Sequence, residues 1–488
     1  MKHYKTWLII LIIAIFGIRL WYSLNTPGFS SDESYFHVRQ IESILSTGLP
    51  FWHDTLAWGG RQIIFSPVYD YFLAGFAYLF GTNLGLTLGS ELIAALLSLV
   101  VAFLTYKITT RAQLSLLAGT IMAVTPVWIE HSLNQLWPQS LTILLLAVLL
   151  LVFETPHAYW VATLAAFTHP LSTVWIAVSA GIILLIWLAQ TNNSTILKTG
   201  IISFIIAIIN FVLWLPALML HGINIINTIP QSLAAELIGT ASVLSIIISI
   251  GVIPVLGATI TTYSELFNSR SKNLVKPISL AIMCAALLMS PLGPKPEIIT
   301  LLSIGLIILF VAWSEQAIKY WKSTRLAPYT KKIAVIATLL VLLTTAWPLD
   351  AAHQQLQNSF SYKDQLVLKW IAEKTPSDST ILALPTEGQR IASLTNRKTV
   401  LDTIFTGRTD GTERAKDVQR LYQTSIELEA IQLLDKYSAD YIFLSTHAIE
   451  KYGNKLPSAV DKGCFLIAYD LGPKVYEKSQ ECKSHASG

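Results

Sequence analysis

The strongest constraint on the fold is a succession of apolar segments in the first 350 residues. That part of the chain holds 17 Lys and Arg and 13 Asp and Glu, whereas the last 138 residues hold 17 and 17. A soluble chain is typically about 25% charged, but this one is 13% charged and 53% hydrophobic. These values exclude a cytosolic enzyme, a secreted disulfide scaffold and a disordered protein. We expect a polytopic all-α membrane domain over residues 1–350 and a soluble domain over residues 351–488.

The apolar segments predict about eleven transmembrane helices, since a helix needs about 20 residues to cross a bilayer. The first, residues 6–24, follows Lys2 and Lys5 and has no small-residue cleavage site after it. We therefore expect an uncleaved helix rather than a signal peptide. The remaining candidates are residues 84–106, 112–129, 138–153, 157–169, 171–189, 199–219, 231–256, 276–292, 297–314 and 333–349.

The basic residues predict the orientation in the cell membrane. If residues 67–81, which contain Asp70, form an interfacial helix rather than a span, every basic cluster falls on the side of the N-terminus. Basic residues favour the cytoplasmic side. We therefore expect a cytoplasmic N-terminus, a large first outer loop at 25–83 and an extracytoplasmic domain at 351–488. The small net charge of +4 gives no reason to expect a nucleic-acid partner.

The first outer loop contains the most informative polar residues. Ser31 or Asp32 can cap a helix that starts just after the first span, and in that helix Glu33 and His37 share a face. Two adjacent carboxylates at the membrane boundary could deprotonate a hydroxyl, or bind a divalent cation with His37. A plain helix cap with a solvated face is the competing interpretation.

Three short motifs resemble those of membrane glycosyltransferases. Asp32-Glu33 after the first span resembles the Asp-Glu motif of the protein O-mannosyltransferase and aminoarabinose transferase families. The run from Glu33 to Arg39, Glu-Ser-Tyr-Phe-His-Val-Arg, is similar to the Asp-x-Tyr-Tyr-His-x-Arg run of oligosaccharyltransferase catalytic subunits. Thr125-Pro-Val-Trp128 ends the third span as it does in both groups. Both groups belong to the GT-C superfamily, and the resemblance covers roughly residues 15–140.

The resemblance implies a GT-C fold and the transfer of a sugar on the outer face of the membrane. The donor would be a polyprenyl-phosphate-linked sugar, and the acceptor a glycan, a lipid or a protein. Asp32 and Glu33 would be the catalytic residues, in an order that the two matches leave open. A divalent metal, Mg²⁺ or Mn²⁺, would be held by Glu33 and Glu130. The residues expected to contact substrate are His37, Arg39, Arg61, Glu130, His131 and His169.

Several of these roles have a structural counterpart that the sequence also allows. Arg61 could pair with Asp54 instead of a lipid phosphate, Glu130 could be a solvated helix end, and His169 beside Pro170 could be structural. The Trp-Trp-Asp-Tyr-Gly motif of oligosaccharyltransferases is absent from the tail, which disfavours transfer of a whole glycan to protein. The chain could also be a lipid-linked-sugar transporter or a non-catalytic membrane protein.

The tail has the alternating pattern of an α/β domain. We expect a helix at 361–374, strands at 380–384, 399–402 and 441–444, a long helix at 413–437 and a hairpin at 464–476. Cys464 and Cys482 could be free thiols, but an oxidising extracytoplasmic space favours a disulfide between them.

Overall fold

The computed structural model describes residues 2–188, 193–221, 242–267, 272–289, 295–325, 327–358, 361–404, 410–459, 463–479 and 482. The chain forms two compact units. The first, here called the helical unit, comprises Met1–Asn25, Ser66–Trp214 and Thr240–Gln354. The second, here called the sheet unit, comprises Thr26–Phe65, Leu215–Gly239 and Gln355–Gly488. Most of the first loop thus belongs to the same unit as the C-terminal residues.

Helices account for most of the described residues up to 358, and most predicted spans correspond to one of them. In chain order they are α1 (Lys2–Leu24), α2 (Asp32–Thr47), α3 (Val68–Phe80), α4 (Thr82–Thr109), α5 (Ala112–Ala123), α6 (Pro126–Ser132), α7 (Pro138–Val152), α8 (His157–Thr168), α9 (Val174–Leu188), α10 (Asn193–His221), α11 (Val243–Ile250), α12 (Val252–Phe267), α13 (Val275–Leu288), α14 (Lys295–Lys322) and α15 (Thr330–Asn358).

Among the residues that the structure describes, length and composition identify fewer than eleven helices as candidates for crossing a membrane. Six helices are long and apolar enough to cross a bilayer, or eight if each of two bent pairs is one span. In the first pair α5 and α6 meet at 51°, because Pro126 cannot continue a helix and starts a new one. The polytopic helical fold is confirmed, but the expected number of eleven spans is not.

The second bent pair changes one predicted span. Helices α11 and α12 meet at 100°, and Gly251 between them has a φ of 111°, which favours glycine. Helix α12 continues to Phe267, well beyond the predicted end at 256. The first part of that predicted span, 231–241, lies outside the described residues.

Most basic residues in the described part of the helical unit lie at one end of it, whereas Lys295 begins α14 at the opposite end from Lys319 and Lys322. Tyr4 Oη lies 2.6 Å from Ser115 Oγ, so the N-terminus of α1 lies beside the start of α5. Close by along the chain, Arg111 Nε donates to Glu315 near the end of α14 at 3.4 Å. Basic residues favour the cytoplasmic side of a membrane, so their collection at one end agrees with that end facing the cytoplasm. Its assignment to the cytoplasm stays a prediction.

The sheet unit contains a five-stranded mixed sheet, which confirms the α/β domain. The strand order is β4-β3-β5-β7-β6; β3 is parallel to β4 and β5, and β7 is antiparallel to β5 and β6. The strands are β3 (Thr380–Leu382), β4 (Lys398–Thr399), β5 (Tyr441–Leu444), β6 (Phe465–Asp470) and β7 (Lys474–Lys478), preceded by a small pair, β1 (His53–Asp54) and β2 (Arg61–Gln62). The helices are α16 (Tyr362–Lys374), α17 (Gly388–Thr395), α18 (Gly411–Gln423), α19 (Glu427–Lys436) and α20 (Thr446–Tyr452).

Two features of the sheet unit differ from the predicted pattern. The long helix expected at 413–437 is wrong, because the chain forms two helices, α18 and α19, there. Helices α17 and α20 have no counterpart in the predicted pattern. The structure also joins Cys464 and Cys482 in a disulfide.

The first loop extends the edge of the sheet. Trp58 N donates to Thr399 O, and Thr399 N donates to Leu56 O, both at 2.9 Å. The guanidinium of Arg414 stacks on the Trp58 ring at 4.5 Å. Backbone pairing and the buried guanidinium of Arg414 therefore hold the first loop on the sheet. Helix α2 lies in the same loop, before this segment.

Candidate functional site

Helix α2 forms where the sequence predicts it. The Ser31 side chain accepts a hydrogen bond from Ser34 N at 3.4 Å, so Ser31 is the N-cap and Asp32 and Glu33 occupy the first turn. The helix ends at Gly48, whose φ of 80° favours glycine. Acids in a first turn interact favourably with the helix dipole. The two candidate catalytic acids thus lie at the N-terminus of one ordered helix.

Asp32 is buried and held by the N-terminus of α17. Its carboxylate accepts hydrogen bonds from Arg390 N at 2.8 Å, from Gln389 N at 3.2 Å and from Thr403 Oγ1 at 3.2 Å. Its exposed fraction is only 6%. Burial raises the pKa of Asp32 to about 6, and the charge of Arg390 opposes that rise. The residue is therefore fully engaged in holding α2 on α17.

A glycine allows the start of α17 to pack closely on the segment that follows β4. A Cβ on Gly388, the first residue of α17, would lie 2.6 Å from the Cβ of Asp402. The ring of Tyr35, on the next turn of α2, lies 5.4 Å from the guanidinium carbon of Arg390. This cation–ring contact and the hydrogen bonds to Asp32 together hold α2 against α17.

Glu33 is the more accessible acid of the pair. It is half-buried, and burial raises its pKa while the nearby His37 lowers it. His37 lies one turn further along and is itself only 4% exposed. Glu33 and His37 thus share a face, as the sequence predicts. A partly desolvated carboxylate with a raised pKa is a typical general base.

Arg39 and Arg61 lie in a network of opposite charges, and Arg39 also lines a cavity of about 330 Å³. Arg61 donates to Asp54 at 2.9 Å and to Asp402 at 2.6 Å. Arg39 bonds to Asp54 as well and donates to Gln389 Oε1 at 3.2 Å. Burial acts to raise the pKa of Asp54, but the two arginines outweigh it, so the pKa lies below its usual value. Of the two interpretations that the sequence allows for Arg61, the structure has the pairing with Asp54.

The remaining three expected substrate residues lie in the helical unit. Glu130 and His131 are half-buried neighbours on the short helix α6. The His131 ring lies 5.7 Å from that of Trp137. His169 Nδ1 accepts a hydrogen bond from Leu171 N at 3.0 Å and caps the 3₁₀ turn at Pro170–Thr173. The cap gives His169 a structural task, which is the second of the two roles that the sequence allows for it.

A buried ion pair in the helical unit has no counterpart among the sequence motifs. Arg19 of α1 donates to Glu91 of α4 at 2.7 Å, and the two residues are 4% and 0% exposed. Glu91 also accepts from Ser23 Oγ and Asn134 N, each at 2.7 Å. The signal that could have found it is a charge inside an apolar segment, which is costly and is therefore usually paired.

The described residues do not form a metal site of three or more side chains. Among them no group of three His, Cys, Asp or Glu comes together in a way that could hold a metal ion. Mg²⁺ is commonly bound through one or two carboxylates together with substrate phosphates. A divalent metal held by Glu33 and Glu130 therefore stays a prediction.

Comparisons with known proteins show the fold. No protein-family model and no curated protein matches the sequence. Among solved structures, the chain is similar to the archaeal oligosaccharyltransferase AglB from Archaeoglobus fulgidus in complex with an inhibitory peptide and a dolichol-phosphate. The TM-score is 0.64 at 13% identity, over 98% of this chain and 75% of that one.

Two further solved structures have the same architecture. ArnT from Cupriavidus metallidurans bound to undecaprenyl phosphate matches with a TM-score of 0.57 at 12% identity, over 97% of this chain and 98% of that one. The arabinofuranosyltransferase AftD from Mycobacteria matches with a TM-score of 0.52 at 15% identity, over 97% of this chain and 41% of that one. The chain thus shares the fold of these three structures, and a fold of this kind is what the resemblance of its motifs implies.

Proposed function

We propose that this chain is a membrane glycosyltransferase that transfers a sugar from a polyprenyl-phosphate-linked donor to an acceptor on the outer face of the membrane. One observation carries the proposal. In a GT-C fold, the helix that follows α1 begins with one buried and anchored carboxylate, Asp32, and one accessible carboxylate, Glu33.

The contacts favour Glu33 as the general base. Glu33 would take the proton of the acceptor as the acceptor atom forms a bond to the anomeric carbon of the sugar. The bond from that carbon to the phosphate oxygen breaks in the same step, and polyprenyl phosphate leaves. A raised pKa brings the carboxylate closer to the pH at which it acts, which favours proton transfer. Asp32, whose oxygens already accept three hydrogen bonds, would position Glu33 by fixing helix α2.

The donor class rests on what the similar proteins bind. The AglB structure holds a dolichol-phosphate and the ArnT structure an undecaprenyl phosphate. Both lipids are polyprenyl phosphates, and nucleotide sugars are not normally available outside the cell. The proposal therefore includes a cytoplasmic N-terminus, with the sugar transferred on the opposite side of the membrane.

A protein acceptor is the second candidate, and one observation favours it. The AglB structures match with TM-scores of 0.61–0.67, against 0.56–0.57 for the ArnT structures. One AglB structure is tethered to an acceptor peptide containing the NVT sequon. Transfer of a glycan to protein is therefore tested beside transfer to a lipid or a glycan.

The test compares conservative variants in membranes from a deletion strain. Wild-type chain should restore a sugar on a surface glycan, lipid or glycoprotein that mass spectrometry finds missing in the deletion strain. Glu33→Gln should lower the rate of transfer by about 100-fold or more, since a general base contributes about 10²–10⁴-fold. Glu42→Gln is the matched control, because Glu42 lies exposed on the same helix, and it should retain activity. Equal rates for wild type and Glu33→Gln at equal expression would rule out the proposed base.

A further inference from the structure

Three lysines from three different helices meet at one turn of the helical unit. The turn joins α7 to α8 and contains Glu154 and Thr155. Lys276 of α13 donates to Glu154 Oε1 at 2.9 Å, and Lys107 of α4 lies 3.5 Å from Glu154 Oε2. Lys198 of α10 donates to Thr155 O at 2.7 Å. The cluster belongs to the basic end of the unit and has no part in the proposed transfer reaction.

The positive charge at this turn exceeds the negative charge in contact with it. Three ammonium groups face one carboxylate and the C-terminus of α7, which carries about half a negative charge. The balance is an excess of about one and a half positive charges. The ring of Phe153 stabilises part of this charge by cation–π interaction, since its centroid lies 4.8 Å from Lys276 Nζ and 5.9 Å from Lys198 Nζ. An added anion would relieve the remaining repulsion.

A cavity of about 110 Å³ opens beside the cluster, between α4, α7, α13 and α14. Its polar lining includes Lys107, Lys276, Asn273 and the Glu154 that pairs with both lysines, and its apolar lining includes Leu150 and Ile308. Lys276 is only 21% exposed in its side chain, so part of its hydration is already lost. The cavity thus joins cationic donors to an apolar wall.

We propose that this pocket binds the phosphate headgroup of an anionic membrane phospholipid. Basic pockets between membrane helices at a polar end are suited to such headgroups. The apolar wall favours a lipid over free phosphate, since a glycerol and the start of an acyl chain can cover it while a hydrated ion cannot. The bound headgroup would tie four helices together at the end of the unit that holds the basic residues.

The experiment titrates the purified full-length chain in a neutral detergent with three probes. These are phosphatidylglycerol, phosphatidylcholine and inorganic phosphate. Thermal unfolding and native mass spectrometry then report stabilisation and retained lipid. Phosphatidylglycerol should raise the unfolding midpoint in a saturable way, and the remaining two probes should not at equal concentration. An equal response to both lipids, or an equal response to inorganic phosphate, would overturn the proposal.

A pair of variants localises the effect. Lys107→Gln with Lys276→Gln should weaken phosphatidylglycerol binding about 30-fold, from about fivefold per lysine near an anionic membrane surface. Replacement of both by Arg keeps the charge and should keep most of the affinity. Lys319→Gln with Lys322→Gln removes the same charge from the last turn of α14 and should leave affinity within about twofold. Unchanged affinity in the first pair contradicts the pocket. If that pair does not fold, the response of the wild type to the three probes decides alone.

Discussion

A rise in pH should destabilise the sheet unit through Asp32. Burial raises the pKa of this carboxyl from 3.8 to about 6, so the folded chain binds its proton more tightly than the unfolded chain does. The stability that the neutral form provides is fully present below pH 3.8 and is lost as the pH rises through about 6. A difference of about two pKa units corresponds to about 3 kcal/mol of the free energy of unfolding.

Asp32→Asn isolates that contribution, because asparagine has the same shape and does not ionise. All other titratable groups are present in both proteins. Their contributions to the pH dependence of the free energy of unfolding therefore cancel when the two proteins are compared. The free energy of unfolding of the variant, minus that of the wild type, should rise by about 2 kcal/mol between pH 4.5 and pH 7.5, because about 1 kcal/mol of the total is already lost below pH 4.5.

The assay is denaturant unfolding of the purified chain in detergent at four pH values across that range. At pH 4.5 the carboxyl is still mostly protonated in the folded state, so this point serves as the reference for the three higher pH values. If the free energy of unfolding of Asp32→Asn minus that of the wild type does not vary with pH, the reasoning is refuted. A difference that falls would show that the amides at the start of α17 hold Asp32 ionised.

Three further substitutions test the framework around the site. Glu91→Gln should destabilise the helical unit by about 3–5 kcal/mol, since it leaves the buried Arg19 without its charge partner, whereas replacing both by Met should cost much less. The thermal unfolding midpoints of the single and double variants check this, and equal losses would contradict it. Gly388→Ala should cost about 1–3 kcal/mol by overpacking and should also lower sugar transfer, measured by unfolding and by the transfer assay; wild-type values for both would contradict it. Cys464→Ser with Cys482→Ser should cost about 3 kcal/mol for a loop of this length, and an unchanged unfolding midpoint would contradict it.

The parts of the fold that the sequence predicts well are those with local causes. Helix α2 starts after a serine that caps it and ends before a glycine, and both signals lie within the helix or beside it. Strand β5 has the bounds that the sequence predicts, since its four consecutive apolar residues are all buried. Hydrophobic pattern and capping chemistry are sufficient for such elements.

The predicted long helix at 413–437 fails for a local reason that the pattern does not reveal. No glycine or proline interrupts this stretch. Thr424 nevertheless ends α18, and its hydroxyl accepts a hydrogen bond from Ile426 N at 3.1 Å. Threonine side chains can compete with helical hydrogen bonds in this way, but whether they do so depends on the surrounding packing.

The contact of Asp32 with α17 could not be predicted, because no local signal links residues that are 357 and 358 positions apart. It has a consequence for the acid beside it. Successive residues on a helix point about 100° apart, so Asp32 and Glu33 cannot face the same partner. Once α17 binds Asp32, the rotation of α2 about its axis is fixed, and with it the direction of Glu33. Residues of the C-terminal part would therefore control the proposed base through the rotation of one helix, without contact with the reacting atoms.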